Sequence, residues 1–239
     1  MARVAVVTGG ASGIGLGVAS RFVAAGHLVA VLDVQADLVA QAAADLGVKG
    51  LVVDVGERPA VDRAMAAIRT ELGPITIMVT SAGINANGPI LEITQDQWDE
   101  ALRINLTGTF NCIQPVIPDM IEAGWGRIVT ISSMAGQSGA PDRAHYVASK
   151  AGVIGLTMAL AHDLSPKGIT VNTIPPSIVE TPMAQTGMGA SAMEALASMI
   201  PVRRVSTPGD IAAACEFLCS DDAGFITGQQ IGVNGGLHI

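Results

Sequence analysis

The sequence predicts one doubly wound α/β domain over residues 1–239, a mainly parallel seven-stranded sheet with helices on both faces. Three observations carry that expectation. Short β-branched runs alternate with longer Ala-rich stretches, the pattern of βαβ units joined by right-handed crossovers. The chain is 49% hydrophobic but only 3% aromatic, so its core is built from Ala, Val, Ile, Leu and Met, which suits a sheet buried under closely packed helices. No repeat or low-complexity linker divides the 239 residues, a length that one large domain accommodates.

In chain order, "VAVVTG" (4–9), "LVAVL" (28–32), "LVVDV" (51–55), "ITIMVT" (75–80), "RIVTIS" (127–132), "ITVNTI" (169–174) and "QQIGV" (229–233) read as strands. Candidate helices lie between them near 13–25, 35–46, 57–72, 95–123, 144–164 and 207–220. Residues 181–200, "TPMAQTGMGASAMEALASMI", fall outside the alternation and are almost uncharged. They read as an extra packed helix or, preferably, as a substrate lid, because ligands of such folds sit beyond the carboxyl ends of the strands.

The net charge of −8 argues against nucleic acid or an anionic membrane as a partner. The apolar runs are broken by Gly or charge before membrane-spanning length. Cys112, Cys215 and Cys219 are odd in number and no secretory pattern accompanies them, so reduced thiols in a cytoplasmic protein are expected. Cys215 and Cys219 are four apart, but no His or acidic cluster completes a ligand set, and no metal is expected.

Two stretches carry chemistry. "TGGASGIG" (8–15) follows the first strand and opens the first helix. Gly9, Gly13 and Gly15 let the backbone approach a pyrophosphate, whose charge a helix N-terminus favours. Asp33 ends the second strand, where a carboxylate accepts from an adenosine ribose 2′-hydroxyl and repels a 2′-phosphate; the alternative is a plain turn residue. Asp54 ends the third strand, within reach of an adenine edge or again as a turn former. The second stretch is "AHYVASKAG" (144–152), with the only tyrosine of the chain, Tyr146, four residues before Lys150, one of three lysines. At that spacing two residues share a helical face about 5–6 Å apart. A core tyrosine beside a snorkelling lysine is the plainer alternative.

With these residues in hand, the chain resembles the short-chain dehydrogenase/reductase family over its full length. "TGGASGIG" resembles the family's cofactor loop, "INLTG" (104–108) its helix asparagine, "GRIVTISS" (126–133) with "YVASK" (146–150) its serine, tyrosine and lysine, and "ITGQQIGVNGG" (226–236) its last strand. The resemblance implies a Rossmann-type domain and a catalytic set of Asn105, Ser133, Tyr146 and Lys150. It implies cofactor contacts from Gly9, Ser12, Gly13, Ile14, Gly15, Asp33, Asp54, Val55, Ser81, Ala82, Gly83, Tyr146, Lys150, Val179 and Thr181. Two positions depart from the pattern. "TSAG" (80–83) replaces Asn-Asn-Ala-Gly, so Thr80 must bridge the sheet differently, and "PPS" (175–177) replaces the usual Pro-Gly. Val34 after Asp33 and the absence of a basic residue in the glycine-rich loop resemble members that prefer NAD.

The chemistry follows from these types. Hydride transfer between a nicotinamide and a carbonyl carbon needs a proton at the oxygen. A phenol with pKa near 10 needs roughly 2.7 kcal/mol to become a base two units lower. A lysine charge at about 5 Å offers roughly 3 kcal/mol at an effective dielectric constant near 20. Tyr146 is then the general acid/base, tuned by Lys150, and Ser133 the donor to the alkoxide. Ser132, next on the strand, points the other way. The resemblance gives Asn105 a water that relays protons; His145 reads as a surface or substrate-entrance residue.

The expected activity is an NAD-dependent interconversion of a secondary alcohol and a ketone. The alternatives are a 3-oxoacyl-thioester reductase, acting on acyl-carrier-protein or CoA substrates, and a silent dinucleotide-binding regulator. A small apolar substrate is favoured because "DMIEAGWGR" (119–127) leads to the catalytic strand with two acids and only Arg127. Met183, Met188, Met193 and Met199 of the lid suit an irregular apolar ligand. The family's usual pairing through the Tyr146 and Asn105 helices implies a homotetramer.

Overall fold

Six parallel strands make one sheet in the order β3-β2-β1-β4-β5-β6, in a computed structural model that describes residues 2–181, 195 and 197–239. The strands are β1 (Val4–Thr8), β2 (Leu28–Asp33), β3 (Lys49–Val52), β4 (Ile75–Thr80), β5 (Gly126–Ile131) and β6 (Ile169–Ile174). Strand order reverses beside β1, since β2 flanks it on one side and β4 on the other. A crevice opens at such a switch point, beyond the carboxyl ends of the strands.

Among the described residues the chain forms helices α1 (Gly13–Ala24), α2 (Ala36–Leu46), α3 (Arg58–Leu72), α4 (Gln95–Leu102), α5 (Gly108–Ile113), α6 (Ile117–Ala123), α7 (Met134–Ser138), α8 (Ala144–Leu164) and α9 (Pro208–Leu218), with further helical residues at 195 and 197–199. Strand side chains alternate between two cores. Val4 and Val6 of β1 pack with Val61, Met65 and Cys112, whereas Ala5 and Val7 pack with Val18, Phe22 and Cys215. The three thiols are buried. Burial pushes Cys112 and Cys219 up to about 12, so they are small apolar residues in effect.

Three elements differ from expectation. The third strand runs over Lys49–Val52 rather than 51–55, so Asp54 does not end it but lies two residues beyond, where its Oδ1 accepts from Gly56 N–H and turns the chain. The seventh strand shrinks to one bridge, Thr173 to Gln230. Side chains take the places of ladder bonds: Thr227 Oγ1 accepts from Val171 N–H and Asn172 Oδ1 from Gln229 N–H. Gly228, at φ 71, then turns the chain. The long helix expected over 95–123 is broken into five consecutive pieces. Pro115 and Pro118 lack the N–H that continues an α-ladder, and a 3-10 turn (Gln114–Val116) separates α5 from α6. Between α4 and α5, Arg103–Thr107 forms a π turn around Asn105, where Thr109 Oγ1 donates to the Asn105 carbonyl at 2.9 Å. Such turns concentrate at functional sites.

The segment expected to act as a lid, 181–200, lies mostly outside the described residues, with Met183, Met188 and Met193. Among the described residues no helix is long and apolar enough to cross a membrane, and no group of three or more His, Cys, Asp or Glu is placed to hold a metal.

Candidate functional site

The site residues gather along one edge of the sheet, because they sit at or just beyond the carboxyl ends of β1, β2, β4 and β5. At β1 the chain turns at Gly9, φ 60. A Cβ there would lie 2.9 Å from the Ala82 backbone, so only glycine lets this loop close against the one after β4. Ser12, the N-cap of α1, makes no side-chain cap bond, and the first turn holds no acid. The N-terminal amides of α1, at Gly13, Ile14 and Gly15, are thus left facing whatever anion the loop cradles. A cleft of about 530 Å³ opens there on Ala11, Ser12, Gly13, Glu180 and Pro208. Ser133, Tyr146 and Lys150 do not line it. Thr181 lies directly over Gly13, its methyl 3.1 Å from where a side chain would begin. Val179 is buried beneath, bridged to Ser206.

Asp33 ends β2 with its carboxylate anchored. Oδ2 accepts from Ala11 N–H at 3.4 Å and Oδ1 from Gln35 N–H at 3.2 Å. Asp54 is more committed: Oδ1 accepts from Gly56 N–H at 2.8 Å and Oδ2 from Arg103 Nη1 at 3.0 Å. Arg103 also pairs with Glu100 and Glu57. Its bonds to Glu100 foremost, and to Asp54, hold the guanidinium above its ordinary range. Adenine contact by Asp54 would therefore be made by an ion-paired carboxylate. Val55 is buried and its carbonyl accepts from Asn111, leaving only its remaining backbone to a cofactor.

The departure at "TSAG" has a structural answer. Thr8 Oγ1 accepts from both Ser81 N–H and Ala82 N–H at 3.1 Å, bridging β1 to the loop that ends at Gly83. Thr80, where an asparagine was expected to bridge, instead buries an Oγ1 without a hydrogen-bond partner. Replacing an orphaned buried hydroxyl by a methyl removes a desolvation cost. Thr80→Val is expected to leave stability unchanged or raise it by about 1 kcal/mol, read as an equal or higher urea midpoint.

At the other end of the crevice, the two serines part as strand alternation requires. Ser132 Oγ accepts from Thr173 Oγ1 at 2.9 Å within the sheet. Ser133 caps α7, its Oγ accepting from Ala135 N–H at 3.2 Å; its own hydrogen is left to donate. Tyr146 and Lys150 share a face of α8, the Lys150 Nζ 5.9 Å from the Tyr146 ring centroid. Lys150 is 6% exposed and donates to the Ile131 carbonyl at 3.0 Å. Burial lowers its pKa, and Tyr146 acts in the opposite direction. Gly83 makes room, since a Cβ there would lie 3.4 Å from Lys150 Nζ and 3.0 Å from Asn105 Oδ1.

Asn105 is fully buried and spends its amide on the frame. Oδ1 accepts from Ile84 N–H at 2.8 Å, and Nδ2 donates to the Ile84 carbonyl at 3.2 Å and to Ser149 Oγ at 3.0 Å. The π turn thus ties the loop after β4 to α8, one residue before Lys150. His145 corrects an expectation: it is 2% exposed, not a surface residue, and its Nδ1 lacks a hydrogen-bond partner. α4 and α7 are among the elements packed on α8. Arg127, the single cation of the acidic segment 119–127 that leads to the catalytic strand, lies at the opposite end of β5 from Ser133. There it donates to the Ser220 carbonyl and sits over Trp125, so it says nothing about the charge around Ser133. The cation that does approach the site is Arg143, whose Cζ is 4.9 Å from the Tyr146 ring centroid. Its position three residues before Tyr146 was the available signal.

A glycine-rich loop feeding an open helix N-terminus at the switch point, beside a hydroxyl, a phenol and a buried ammonium, defines a nicotinamide-dependent oxidoreductase. The comparisons agree. A family model described as "Enoyl-(Acyl carrier protein) reductase" matches residues 9–238. An acetoacetyl-CoA reductase of Shinella zoogloeoides is 41% identical over 237 residues, 99% of this chain and 98% of that one. A D-threitol dehydrogenase of Mycolicibacterium smegmatis is 39% identical over 242 residues, 99% of this chain and 93% of the other. Among solved structures, a single-substitution variant of the actinorhodin polyketide ketoreductase with NADPH superposes with a TM-score of 0.96 at 34% identity, covering 99% of this chain and 97% of that one. The chain belongs to the short-chain dehydrogenase/reductase family.

Proposed function

We propose that the protein reduces 3-oxoacyl thioesters to 3-hydroxyacyl thioesters with a nicotinamide dinucleotide. The observation that carries this reading is the end-to-end similarity to an acetoacetyl-CoA reductase in a chain that has Ser133 beyond β5 and Tyr146 and Lys150 on one face of α8. It displaces the small apolar ketone favoured by charge, an argument that leaned on Arg127 at the wrong end of β5. A second reading, oxidation of a polyol or other secondary alcohol, is favoured by the similarity to a D-threitol dehydrogenase.

When bound, the nicotinamide supplies the hydride that the carbonyl carbon accepts. Tyr146 O–H gives its proton to the oxygen of that carbonyl. Ser133 Oγ donates to the same oxygen, its direction set by the Ala135 N–H that it accepts from, and so favours the charge that develops there. Lys150, steadied by the Ile131 carbonyl, places a cation 5.9 Å from the Tyr146 ring centroid and would hold the nicotinamide ribose of a bound cofactor. Asn105 positions rather than reacts, holding Ile84 and Ser149. The amides of Gly13 to Gly15, with Ser12 and Ile14, would hold the pyrophosphate; Ser81 to Gly83, Val179 and Thr181 would hold the nicotinamide half; Asp54 and Val55 would lie at the adenine.

Wild-type kcat/KM with reduced cofactor decides between the readings. Acetoacetyl-CoA and acetoacetyl-carrier protein are compared with cyclic and acyclic simple ketones, and D-threitol with oxidised cofactor. A thioester preferred by about 100-fold or more is expected, because substrate polar groups left unmatched in a built site cost at least that much; a simple ketone or D-threitol preferred over the thioesters refutes it.

For the cofactor, Asp33 supports NAD over NADP, because among the described residues no cation pairs with its carboxylate and Val34 beside it is exposed. Asp33→Asn removes the repulsion of a 2′-phosphate and is expected to narrow the NAD preference about 10-fold, one charge contact being worth roughly 1–2 kcal/mol. Higher wild-type kcat/KM with NADP, the cofactor in the neighbouring ketoreductase structure, contradicts the assignment. From the family resemblance we further propose a cytoplasmic homotetramer. The exposed side of α8, with Ala151, Gly155, Met158 and Ala159, is small and apolar enough for a second helix to approach.

A further inference from the structure

Arg143 immediately precedes the helix that carries Tyr146, and contacts outside the proton-transfer set hold it there. Its Nε donates to Asn87 Oδ1 at 2.6 Å, and its Nη2 donates to Asn85 Oδ1. The guanidinium carbon stands 4.9 Å from the Tyr146 ring centroid. Behind it, Asp142 takes a left-handed conformation, φ 55, and its carbonyl accepts from Gly88 N–H at 2.8 Å. Non-glycine residues keep that conformation where their surroundings impose it, often at ligand clamps. The segments 84–88 and 142–143 are thereby fastened together beside the phenol, with the cation between them.

We propose that Arg143 selects substrates with a second carbonyl, donating its remaining N–H groups to the thioester oxygen two carbons from the ketone that is reduced. This rests on the thioester-reductase reading and deepens it. A guanidinium has five N–H donors in a planar fork. Two are engaged by Asn85 and Asn87, and among the described residues the other three are uncommitted. Such a fork fits an oxygen with in-plane lone pairs. Its place beside the Tyr146 ring restricts the acceptor to an atom near the reacting carbon. In a 3-oxoacyl thioester that atom is the C1 carbonyl oxygen. The phosphates of CoA or of a carrier's prosthetic arm lie at the far end of the pantetheine chain, out of reach of a side chain stacked on the phenol. A simple ketone leaves the three donors unpaired, and a site built to hydrogen-bond a group discriminates against the analogue that lacks it.

The test compares wild type, Arg143→Gln and Arg143→Lys on three substrates: acetoacetyl-CoA, acetoacetyl-pantetheine without phosphates, and the thioether S-(3-oxobutyl)-CoA, which keeps the ketone and CoA but lacks C1=O. Arg143→Gln is expected to lose about 10- to 100-fold in kcat/KM on both acetoacetyl thioesters and less than about 3-fold on the thioether, with Arg143→Lys between. A loss confined to acetoacetyl-CoA assigns Arg143 to the phosphates and overturns the proposal. An equal loss on all three makes it only a clamp for the loops and also overturns it. If wild type turns over neither acetoacetyl thioester, the thioester reading itself fails and the proposal falls with it.

Discussion

Tyr146→Phe is expected to lower kcat on the order of a thousandfold while leaving cofactor affinity and melting temperature nearly unchanged. General acid catalysis is worth about 10²- to 10⁴-fold. The phenyl ring keeps the contacts of the tyrosine ring with Arg143 and Lys150, so packing is preserved and only the transferable proton is lost. Stopped-flow decay of the reduced nicotinamide reads the rate, and cofactor fluorescence titration reads the affinity. Near-normal kcat in this variant would remove Tyr146 from the chemistry. Equal losses of kcat and of cofactor binding would make its role structural.

The second large effect has opposite signs on function and on stability. Lys150→Met is expected to cost at least a hundredfold in turnover and to weaken cofactor binding, yet to raise the melting temperature by several degrees. The wild-type ammonium is buried with one carbonyl partner, Ile131, and no carboxylate pairs with it among the described residues. An unpaired buried charge costs several kcal/mol, more than the roughly 1–3 kcal/mol that its hydrogen bond returns. Burial lowers the Lys150 pKa below its ordinary 10.5. Below that lowered value lysine is charged whether folded or not, and the full penalty is present. Between it and 10.5 the unfolded chain binds the proton more readily than the folded one, so wild-type stability attributable to Lys150 rises with pH. The advantage of Lys150→Met is therefore greatest at the lower pH and shrinks toward 10.5, which melting curves of both proteins across that range would show. A variant less stable than wild type at every pH contradicts this account. On the proposed mechanism the cost is retained because the reaction uses the cation, a trade of stability for activity.

The parts of the fold legible in the sequence were those written locally. β-branched runs marked β1, β2, β4, β5 and β6 within a residue or so, and alternation on β5 separated Ser132 from Ser133. The spacing of Tyr146 and Lys150 placed them on one helical face because α8 runs unbroken through both. What escaped was set by tertiary partners. The π turn at Asn105 depends on what its amide meets across the crevice, at Ile84 and Ser149. Thr8 took over a bridge expected of residue 80 because its hydroxyl faces two amides of a loop more than seventy positions away. The seventh strand gave way because Asn172 and Thr227 competed for its backbone bonds. The charge argument failed on direction: Arg127 precedes Ser133 by six residues, and a strand carries it to the far edge of the sheet. Arg143, closer in space, sat in a turn that periodicity does not read.

Transfer of deuterium from a reduced nicotinamide cofactor deuterated at both C4 positions to acetoacetyl-CoA tests the central claim most directly. Mass spectrometry of the wild-type reaction is predicted to find 3-hydroxybutyryl-CoA carrying one deuterium, bound at carbon 3. In Tyr146→Phe its rate of formation should fall by about the thousandfold expected for loss of the acid. Absence of labelled 3-hydroxybutyryl-CoA from the wild-type reaction, or its formation at an unchanged rate in Tyr146→Phe, would contradict the account.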